Sequence, residues 1–367
     1  MKVLICTGIF PPEIGGPATY SRILASELKK RGHNVRVITY SGGESGIKNY
    51  ELGEEFPVIR IPRSKFKLLH YWRYFCAVKR YGGQADLLYA QDPVSAGYPT
   101  YLAAKILRKP FAVKITGDYS WEQAMGRGLT DKLIDEFQTQ PQYPKRIKQM
   151  RGVQIRVAKG AARVIVPSRY LKKIVTGWGV KEKQTTVVYN SIEPPRLPLS
   201  KAEARKDLNI SERTFLIVSS GRKVKWKGFE LLEKVVADLG KRHPNLELKI
   251  LSAAPRAVLY KYFWAADLYV LNTGYEGLSN TLVEVLGIGV PIITTNVCGN
   301  PEIISNDFNG LLVDYNDASG LKAAIEKVYD NPELGRRYVE NGKRILANFS
   351  LDRMIGQTLE VLQACVF

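Results

Sequence analysis

Short apolar runs alternate with amphipathic stretches along most of the chain. The first run, Val3–Thr7, is followed by a glycine-containing turn, by a helical pattern in which Tyr20, Leu24 and Leu28 recur every four residues, and by a second apolar run at 35–39. An unbroken apolar run is typical of a strand that is buried on both faces of a parallel sheet. The order strand, helix, strand therefore predicts a βαβ unit.

The same alternation continues toward the C-terminus with one interruption. We expect further strands near 86–90, 111–115, 163–167, 186–189, 214–219, 246–251, 268–271, 291–294 and 311–313. Helical patterns lie at 94–107, 228–240, 281–288 and 317–329, and a last one at 350–364 has no strand after it. The interruption, 190–198, contains three prolines and no periodicity, as interdomain linkers commonly do.

These patterns predict an α/β protein with two Rossmann-like, doubly wound domains that face each other across a cleft. We place the N-terminal domain at 1–190 and the C-terminal domain at 191–347, and we expect the helix at 348–367 to pack back on the N-terminal domain. Ligands of such folds bind outside the carboxyl ends of the strands, so we look for chemistry in the loops that follow strands.

Composition narrows the class of protein. The chain has 367 residues, of which 45% are hydrophobic and 24% charged, as in ordinary globular proteins. No apolar run approaches the ~18–20 residues of a membrane-spanning helix, and the first residues predict a strand instead of a signal peptide. The four cysteines are far apart in sequence, which disfavours a disulfide framework or a zinc ribbon. We expect a cytoplasmic protein.

The positive charge is concentrated in the first half of the chain. Residues 1–190 contain 32 Lys and Arg against 14 Asp and Glu, a net charge of +18, whereas 191–367 contain 22 against 21. A basic half predicts a polyanionic neighbour, for which nucleic acid, anionic lipid and phosphorylated substrates all qualify.

Two glycine-containing loops are candidate anion sites. In the first, Gly16 and Pro17 lead into a helix whose first backbone N–H groups lack intrahelical partners. It lacks the GxGxxG pattern of dinucleotide-binding domains, so NAD is disfavoured. The second loop, Gly221–Gly228, holds four cations in six residues, which favours a diphosphate. The alternatives are a simple connecting turn and a solvated charged loop.

Two glutamates eight positions apart give the sharpest chemical pattern. Glu276 lies in a glycine turn just past a predicted strand, where a carboxylate can accept hydrogen bonds from the vicinal hydroxyls of a sugar or ribose. For Glu284 a structural alternative exists, because Thr281 and Glu284 have the spacing of a helix capping box.

These residues carry a resemblance to a known family. Glu276 and Glu284, followed by Gly289-x-Pro291 and by Gly299-Asn300-Pro301-Glu302-Ile303, resemble the donor site of the retaining glycosyltransferase family 4, also called glycosyl transferases group 1, which has the GT-B fold. Further segments are similar in the same order along nearly the whole chain: Pro11-Pro12 with Gly15-Gly16, Arg222 with Lys227-Gly228, and Ala266-Asp267-Leu268.

The resemblance implies a function and a role for each matched residue. It implies a metal-independent retaining glycosyltransferase of the hexosyltransferase type, which takes a nucleotide-diphosphate sugar as donor substrate, a lipid-linked or glycan acceptor, and no further cofactor. The Gly16 backbone faces the diphosphate, Arg222 and Lys227 bind it, and Glu276 holds the sugar. The backbone of Gly277, Leu278 and Ser279 lies near the phosphate, and Glu284 binds the ribose hydroxyls.

The chain departs from the family pattern at two places. Many members have a histidine after the strand that corresponds to 111–115; here Asp118 is the candidate for a polar contact to the donor sugar or the acceptor, the alternative being a turn residue at a strand end. Between Leu251 and Ala266 the chain has room for only one helix, where the family has a glycine loop, a helix and a strand that help to hold the base.

A further segment, 63–81, mixes aromatic and basic side chains. This mixture suits the interfacial zone of an anionic bilayer and predicts peripheral attachment to the inner face of the cell membrane, whereas the alternative is an ordinary helix with basic ends. Two other readings of the whole chain stay open: a nucleotide-sugar epimerase of the same fold, and a basic protein that binds nucleic acid or membrane without catalysis.

Overall fold

The chain forms two compact units. The computed structural model describes residues 1–42, 46–49, 55–140, 142–191 and 199–366. The N-terminal unit consists of Met1–Val188 together with the C-terminal segment from Asp352, and the C-terminal unit is Tyr189–Leu351. Most of the predicted linker, 192–198, lies outside the described residues.

The N-terminal unit is built around a mostly parallel sheet. Its elements in chain order are β1 (Lys2–Thr7), α1 (Gly16–Lys30), β2 (Asn34–Ser41), β3 (Gly46–Asn49), β4 (Pro57–Pro62), α2 (Lys67–Gly82), β5 (Leu87–Ala90), α3 (Gly97–Leu107), β6 (Phe111–Lys114), α4 (Tyr119–Gly126), α5 (Ile134–Gln138), α6 (Lys145–Gly160), β7 (Arg163–Val166), α7 (Arg169–Gly177) and β8 (Thr185–Val187). Among the described residues the strand order is β3-β4-β2-β1-β5-β6-β7-β8, and β3 alone is antiparallel to its neighbour.

The C-terminal unit repeats the plan with a smaller sheet. Its elements are α8 (Lys201–Leu208), β9 (Phe215–Ser220), α9 (Phe229–Gly240), β10 (Leu246–Leu251), α10 (Arg256–Ala265), β11 (Leu268–Leu271), α11 (Asn280–Ile288), β12 (Ile292–Thr295), β13 (Leu311–Val313), α12 (Ala318–Tyr329) and α13 (Pro332–Ile345). The described strands are all parallel, in the order β10-β9-β11-β12-β13.

Alternation along the strands explains why their sequences are apolar throughout. In β9, Leu216 and Val218 pack into one apolar cluster while Ile217, between them, packs into another on the opposite face of the sheet. Helices therefore cover both faces of this sheet, and a strand in that position needs apolar side chains at every residue.

The helices of the N-terminal unit also form two layers. Leu88 and Ala90 of β5 share an apolar cluster with residues of α2, α3, α6 and α7, so these four helices cover one face. Tyr89 points to the other face, where its hydroxyl lies 3.2 Å from that of Tyr20 on α1. The last helix, α14 (Leu351–Gln363), joins α1 there, because the Tyr20 hydroxyl also lies 3.3 Å from the Thr358 hydroxyl.

The predicted α/β class with two doubly wound domains is confirmed, and each predicted strand is present with ends shifted by at most one or two residues. The sequence patterns did not predict β3, β4, α4–α6, α8 or α13. Within the described residues, no helix is both long enough and apolar enough to span a membrane.

Candidate active site

Three loops of the C-terminal unit meet at one edge of its sheet. They are 221–228 after β9, 272–279 after β11 and 296–302 after β12. Because β9, β11 and β12 are neighbours and run parallel, their carboxyl ends lie side by side. The three sequence motifs therefore come together although they are far apart in the chain.

Backbone hydrogen bonds hold the three loops to one another. The amide of Gly274 donates to the carbonyl of Trp226 at 2.7 Å, and the side-chain amide of Asn272 donates to the carbonyl of Gly228 at 3.0 Å. The amide of Gly299 donates to the carbonyl of Glu276, also at 3.0 Å. The loops thus form one connected surface around Glu276.

Glycine is required at two of these crossings for different reasons. Gly228 has φ of +55°, a left-handed conformation that favours glycine, and a β-carbon there would collide with Asn272. Gly299 has an ordinary φ of −86°, but a β-carbon would collide with the carbonyl oxygen of Gly277. At Gly299, glycine is therefore required because there is no room for a side chain, and not because of the backbone conformation.

Lys227 and Glu276 form an ion pair at the centre of this surface. The Lys227 ammonium contacts Glu276 Oε1, and the two side chains are only 13% and 19% exposed. The bend at Gly221 also brings the Lys227 side chain close, since a β-carbon on Gly221 would lie 3.3 Å from Lys227 Cε. One cation and one carboxylate are thus fixed at the sheet edge.

The other predicted donor-site residues lie on the same loops. Arg222 is exposed, five positions before Lys227. Gly277 and Leu278 are buried beside the Gly299 crossing, and Ser279 caps α11, because its hydroxyl accepts a hydrogen bond from the Leu282 amide at 3.4 Å. The chain therefore passes directly from the Glu276 turn into the N-terminus of a helix, where anions are favoured.

Glu284 does not cap this helix. Ser279 is the N-cap, so Glu284 lies in the second turn of α11, and the alternative interpretation of Glu284 as part of a capping box with Thr281 is wrong. The Glu284 carboxylate instead accepts a hydrogen bond from Arg256 on α10 at 2.9 Å. Burial raises the pKa of Glu284, and Arg256 and the Tyr260 hydroxyl oppose that shift only in part. Burial likewise raises the pKa of Tyr260, to about 12.

Comparison with known proteins identifies the family. The sequence profile of Glycosyltransferase Family 4 matches residues 14–196, and that of Glycosyl transferases group 1 matches residues 248–345, which contain Glu276 and Glu284. The chain belongs to the group 1 glycosyltransferases. It is a glycosyltransferase with the GT-B fold.

Similar proteins cover the whole chain. MJ1607, an uncharacterized glycosyltransferase from Methanocaldococcus jannaschii, is 23% identical over 98% of this chain and 97% of its own length. LpsD of Rhizobium meliloti, a lipopolysaccharide core biosynthesis glycosyltransferase, is 27% identical over 56% of this chain and 62% of its own. The solved structure of Anabaena Alr3699/HepE in complex with UDP has a TM-score of 0.75 at 17% identity and covers 99% of this chain and 100% of that one.

Two predicted site residues of this glycosyltransferase belong to the N-terminal unit. Gly16 is exposed and begins α1, with Pro17 next to it and no side chain capping the helix. Gly16 stays a candidate for a backbone contact to the donor diphosphate.

The contact predicted for Asp118 does not agree with the structure. Asp118 is completely buried and caps α4, where its carboxylate accepts hydrogen bonds from the Trp121 amide at 3.1 Å and from the side chains of Gln138 and Gln154 at 2.7 Å each. Arg151 lies 3.5 Å away. Since both oxygens are occupied inside the fold, Asp118 supports the loop after β6 and does not contact a ligand directly.

The segment 252–265 of the C-terminal unit contains one helix, as predicted. That helix, α10, contributes Arg256 and Tyr260, which both contact the Glu284 side chain. Sequence reasoning missed both residues, because neither stands in a recognisable motif. The strand order of the sheet places α10 next to α11, and this neighbourhood is what brings the two residues to Glu284.

Proposed function

We propose that this glycosyltransferase moves a hexose from a nucleotide-diphosphate sugar to a lipid-linked or glycan acceptor, with retention of configuration at the anomeric carbon. The observation that supports it is the contact between Lys227 and Glu276, with Arg222 on the same loop. It pairs cations suited to a diphosphate with a carboxylate suited to sugar hydroxyls.

In the proposed complex the two ends of the donor use different residues. An ammonium group has three N–H donors, so Lys227 can keep its contact with Glu276 while it donates to the diphosphate. Arg222 adds a planar pair of donors, and Glu284 accepts hydrogen bonds from ribose. As the bond from the anomeric carbon to the phosphate oxygen breaks, the two cations stabilise the negative charge on the leaving nucleotide.

We propose that no metal is needed, because these two cations can neutralise a diphosphate. A new bond from the anomeric carbon to the acceptor oxygen forms on the face that the nucleotide leaves, and the acceptor proton departs with the leaving phosphate. The lipopolysaccharide core pathway named for LpsD supports a glycolipid acceptor, and the UDP complex of HepE supports a nucleotide donor. Such a reaction fits a cytoplasmic enzyme.

A thermal-shift panel tests the donor class. Binding of a ligand to the native state raises the melting temperature by mass action. Among UDP, GDP, ADP and their sugars, the true donor and its nucleotide should therefore give a clearly larger shift in melting temperature than the others. The test variant is Lys227→Ala, which should lose the shift in melting temperature. The matched control is Lys223→Ala, which removes an exposed cation from the same loop and should keep the shift.

The best donor should then be offered with a mixture of bacterial glycolipids, with and without a chelator. Product with the same anomeric configuration as the donor, formed equally with the chelator, is the expected result. Release of an epimerised sugar without transfer, or transfer that chelation abolishes, would contradict the proposal.

A further inference from the structure

The two helix layers of the N-terminal unit carry very different charge. The four helices that share the apolar cluster of β5, α2, α3, α6 and α7, together contain 14 Lys and Arg residues and no Asp or Glu. The shorter α4 and α5, which are hydrogen-bonded to α6, add Glu122, Asp135 and Glu136. On the opposite face, α1 and α14 contain four cations and three carboxylates. The excess positive charge of this half of the chain is therefore concentrated on one side of the sheet, which the sequence alone did not reveal.

Most of this charge is at the surface. Of the 14 cations, 12 are exposed, and the exceptions are Arg151, which pairs with Asp118, and Lys172, which pairs with Glu182. On α6 the exposed cations Lys148 and Arg156 lie eight residues apart, so they project from the same side of the helix. We call the outer surface of α2, α3, α6 and α7 the basic layer.

Large apolar side chains interrupt the basic layer at the start of α2. Phe66, Leu68 and Trp72 are 76%, 88% and 62% exposed, and Leu69 is 37% exposed. On the helix, Leu68, Trp72 and Lys79 share one side, opposite the buried Tyr74 and Val78. An apolar group of this size beside cations is typical of a helix that lies in a membrane interface.

We propose that the basic layer is a docking surface for an anionic bilayer, with Phe66 and Leu68 inserted among the acyl chains. The cations face lipid phosphates, and the tryptophan ring sits at the headgroup level. A single-stranded nucleic acid fits less well, because an exposed aliphatic side chain such as Leu68 offers no ring on which a base can stack. This inference does not rest on the proposed function, since it concerns how the protein binds a membrane and not how it transfers a sugar.

Co-sedimentation of the full chain with vesicles tests the proposal. Vesicles with phosphatidylglycerol in phosphatidylcholine should bind the protein at about 0.1 M salt and much less at about 1 M, where the Debye length falls from about 10 Å to about 3 Å. Pure phosphatidylcholine should bind weakly. The pair Lys148→Glu and Arg156→Glu should weaken binding to anionic vesicles at least tenfold, since each cation near the leaflet contributes about fivefold.

A matched control separates this surface from net charge. Lys29→Glu and Lys30→Glu change the charge by the same amount on the α1 face and should leave binding within about twofold of wild type. Leu68→Ser with Trp72→Ala should also weaken binding without a change in charge. Equal loss in both charge-reversed pairs, or no preference for anionic vesicles, would overturn the proposal.

An exposed native thiol gives a second readout that needs no surface mutation. Cys76 is exposed one turn after Trp72, so a polarity-sensitive fluorophore on it should shift to the blue with anionic vesicles, whereas Cys76→Ser carries the background from other thiols. Tighter binding to duplex DNA than to vesicles, with no effect of Leu68→Ser and Trp72→Ala, would assign the layer to nucleic acid instead.

Discussion

At the Lys227–Glu276 ion pair, each side chain has a partner before any ligand binds. Both are mostly buried, so neither is free to turn into solvent. In the proposed complex, a donor diphosphate would therefore meet a cation that is already in position. Preorganised charge of this kind acts without reorganisation at the moment of reaction. Three predictions follow from individual side chains of this site.

The first concerns the two cations of the loop 221–228. We expect Arg222→Ala and Lys227→Ala each to weaken donor binding by about 1.5–3 kcal/mol, the contribution of a charge-assisted hydrogen bond. Calorimetry with the nucleotide diphosphate measures this, and Lys223→Ala serves as the control. Unchanged affinity in the double variant would remove both residues from the site.

The second concerns Glu276. We expect Glu276→Gln to abolish sugar transfer, because the amide no longer offers two acceptor oxygens to sugar hydroxyls. The structure adds a cost in stability, on the order of 1–3 kcal/mol, since Lys227 is left 13% exposed without its carboxylate. Denaturant unfolding and a transfer assay measure the two effects. Glu233→Gln, at an exposed position of α9, should change neither, and a fully active Glu276→Gln enzyme would refute the assignment.

The third concerns pH. Burial raises the pKa of Glu284, so its carboxylate becomes protonated at a higher pH than an ordinary glutamate does. The pKa of an ordinary glutamate is about 4.3. As the pH is lowered, nucleotide affinity should therefore begin to fall while the pH is still above the pKa of an ordinary glutamate. The reason is that protonation removes the Glu284 carboxylate as a hydrogen-bond acceptor and as the partner of Arg256. Arg256→Met removes a cation that lowers the pKa and should move the fall to still higher pH.

The control for this titration is Glu284→Gln, which should bind nucleotide weakly and without the pH dependence. A raised carboxyl pKa means that the ionised group costs stability at neutral pH, and this cost disappears as pH falls through the folded-state value. The melting temperature of Glu284→Gln at neutral pH should consequently not fall. A pH-independent wild type would show that the carboxylate does not contact the nucleotide.

Among the structural elements, the loop crossing at Gly299 makes a prediction of its own. Gly299→Ala should lower stability by about 1–3 kcal/mol and weaken donor binding, because the new methyl group forces the loops 272–279 and 296–302 apart. Gly287→Ala, on α11, meets only an ordinary contact with Leu346 at 3.9 Å and should stabilise by about 0.5–1 kcal/mol. Thermal melts measure the two effects: the melting temperature should fall for Gly299→Ala and rise for Gly287→Ala.

The positions of most strands were more predictable than helix ends and side-chain partners. An apolar run such as Leu268–Leu271 has no competing interpretation, because both of its faces are buried. Ser279 and Thr281, by contrast, are both good helix caps, and only the path of the Glu276 turn selects Ser279. The Arg256–Glu284 contact joins two helices through tertiary packing, which no local pattern encodes.

For the molecule as a whole, the two units differ in what the sequence revealed. In the C-terminal unit the candidate site lies in motifs at strand ends, so residue types and spacing were enough to find the basic loop 221–228 and Glu276. The family resemblance then singled out Lys227 within that loop. In the N-terminal unit the net charge was visible from composition, but its restriction to one helix layer depends on which face each helix covers. That information exists only after the sheet has formed.

The return of α14 to the N-terminal unit has a consequence for how the protein is made. Thr358 completes a buried hydroxyl cluster with Tyr20 and Tyr89, yet it is synthesised long after both, and after the entire C-terminal unit. During translation, part of the α1 face of the N-terminal unit therefore stays uncovered until the residues of the C-terminal unit have been synthesised. The unit that is begun first can be completed only after all residues of the other unit have been made.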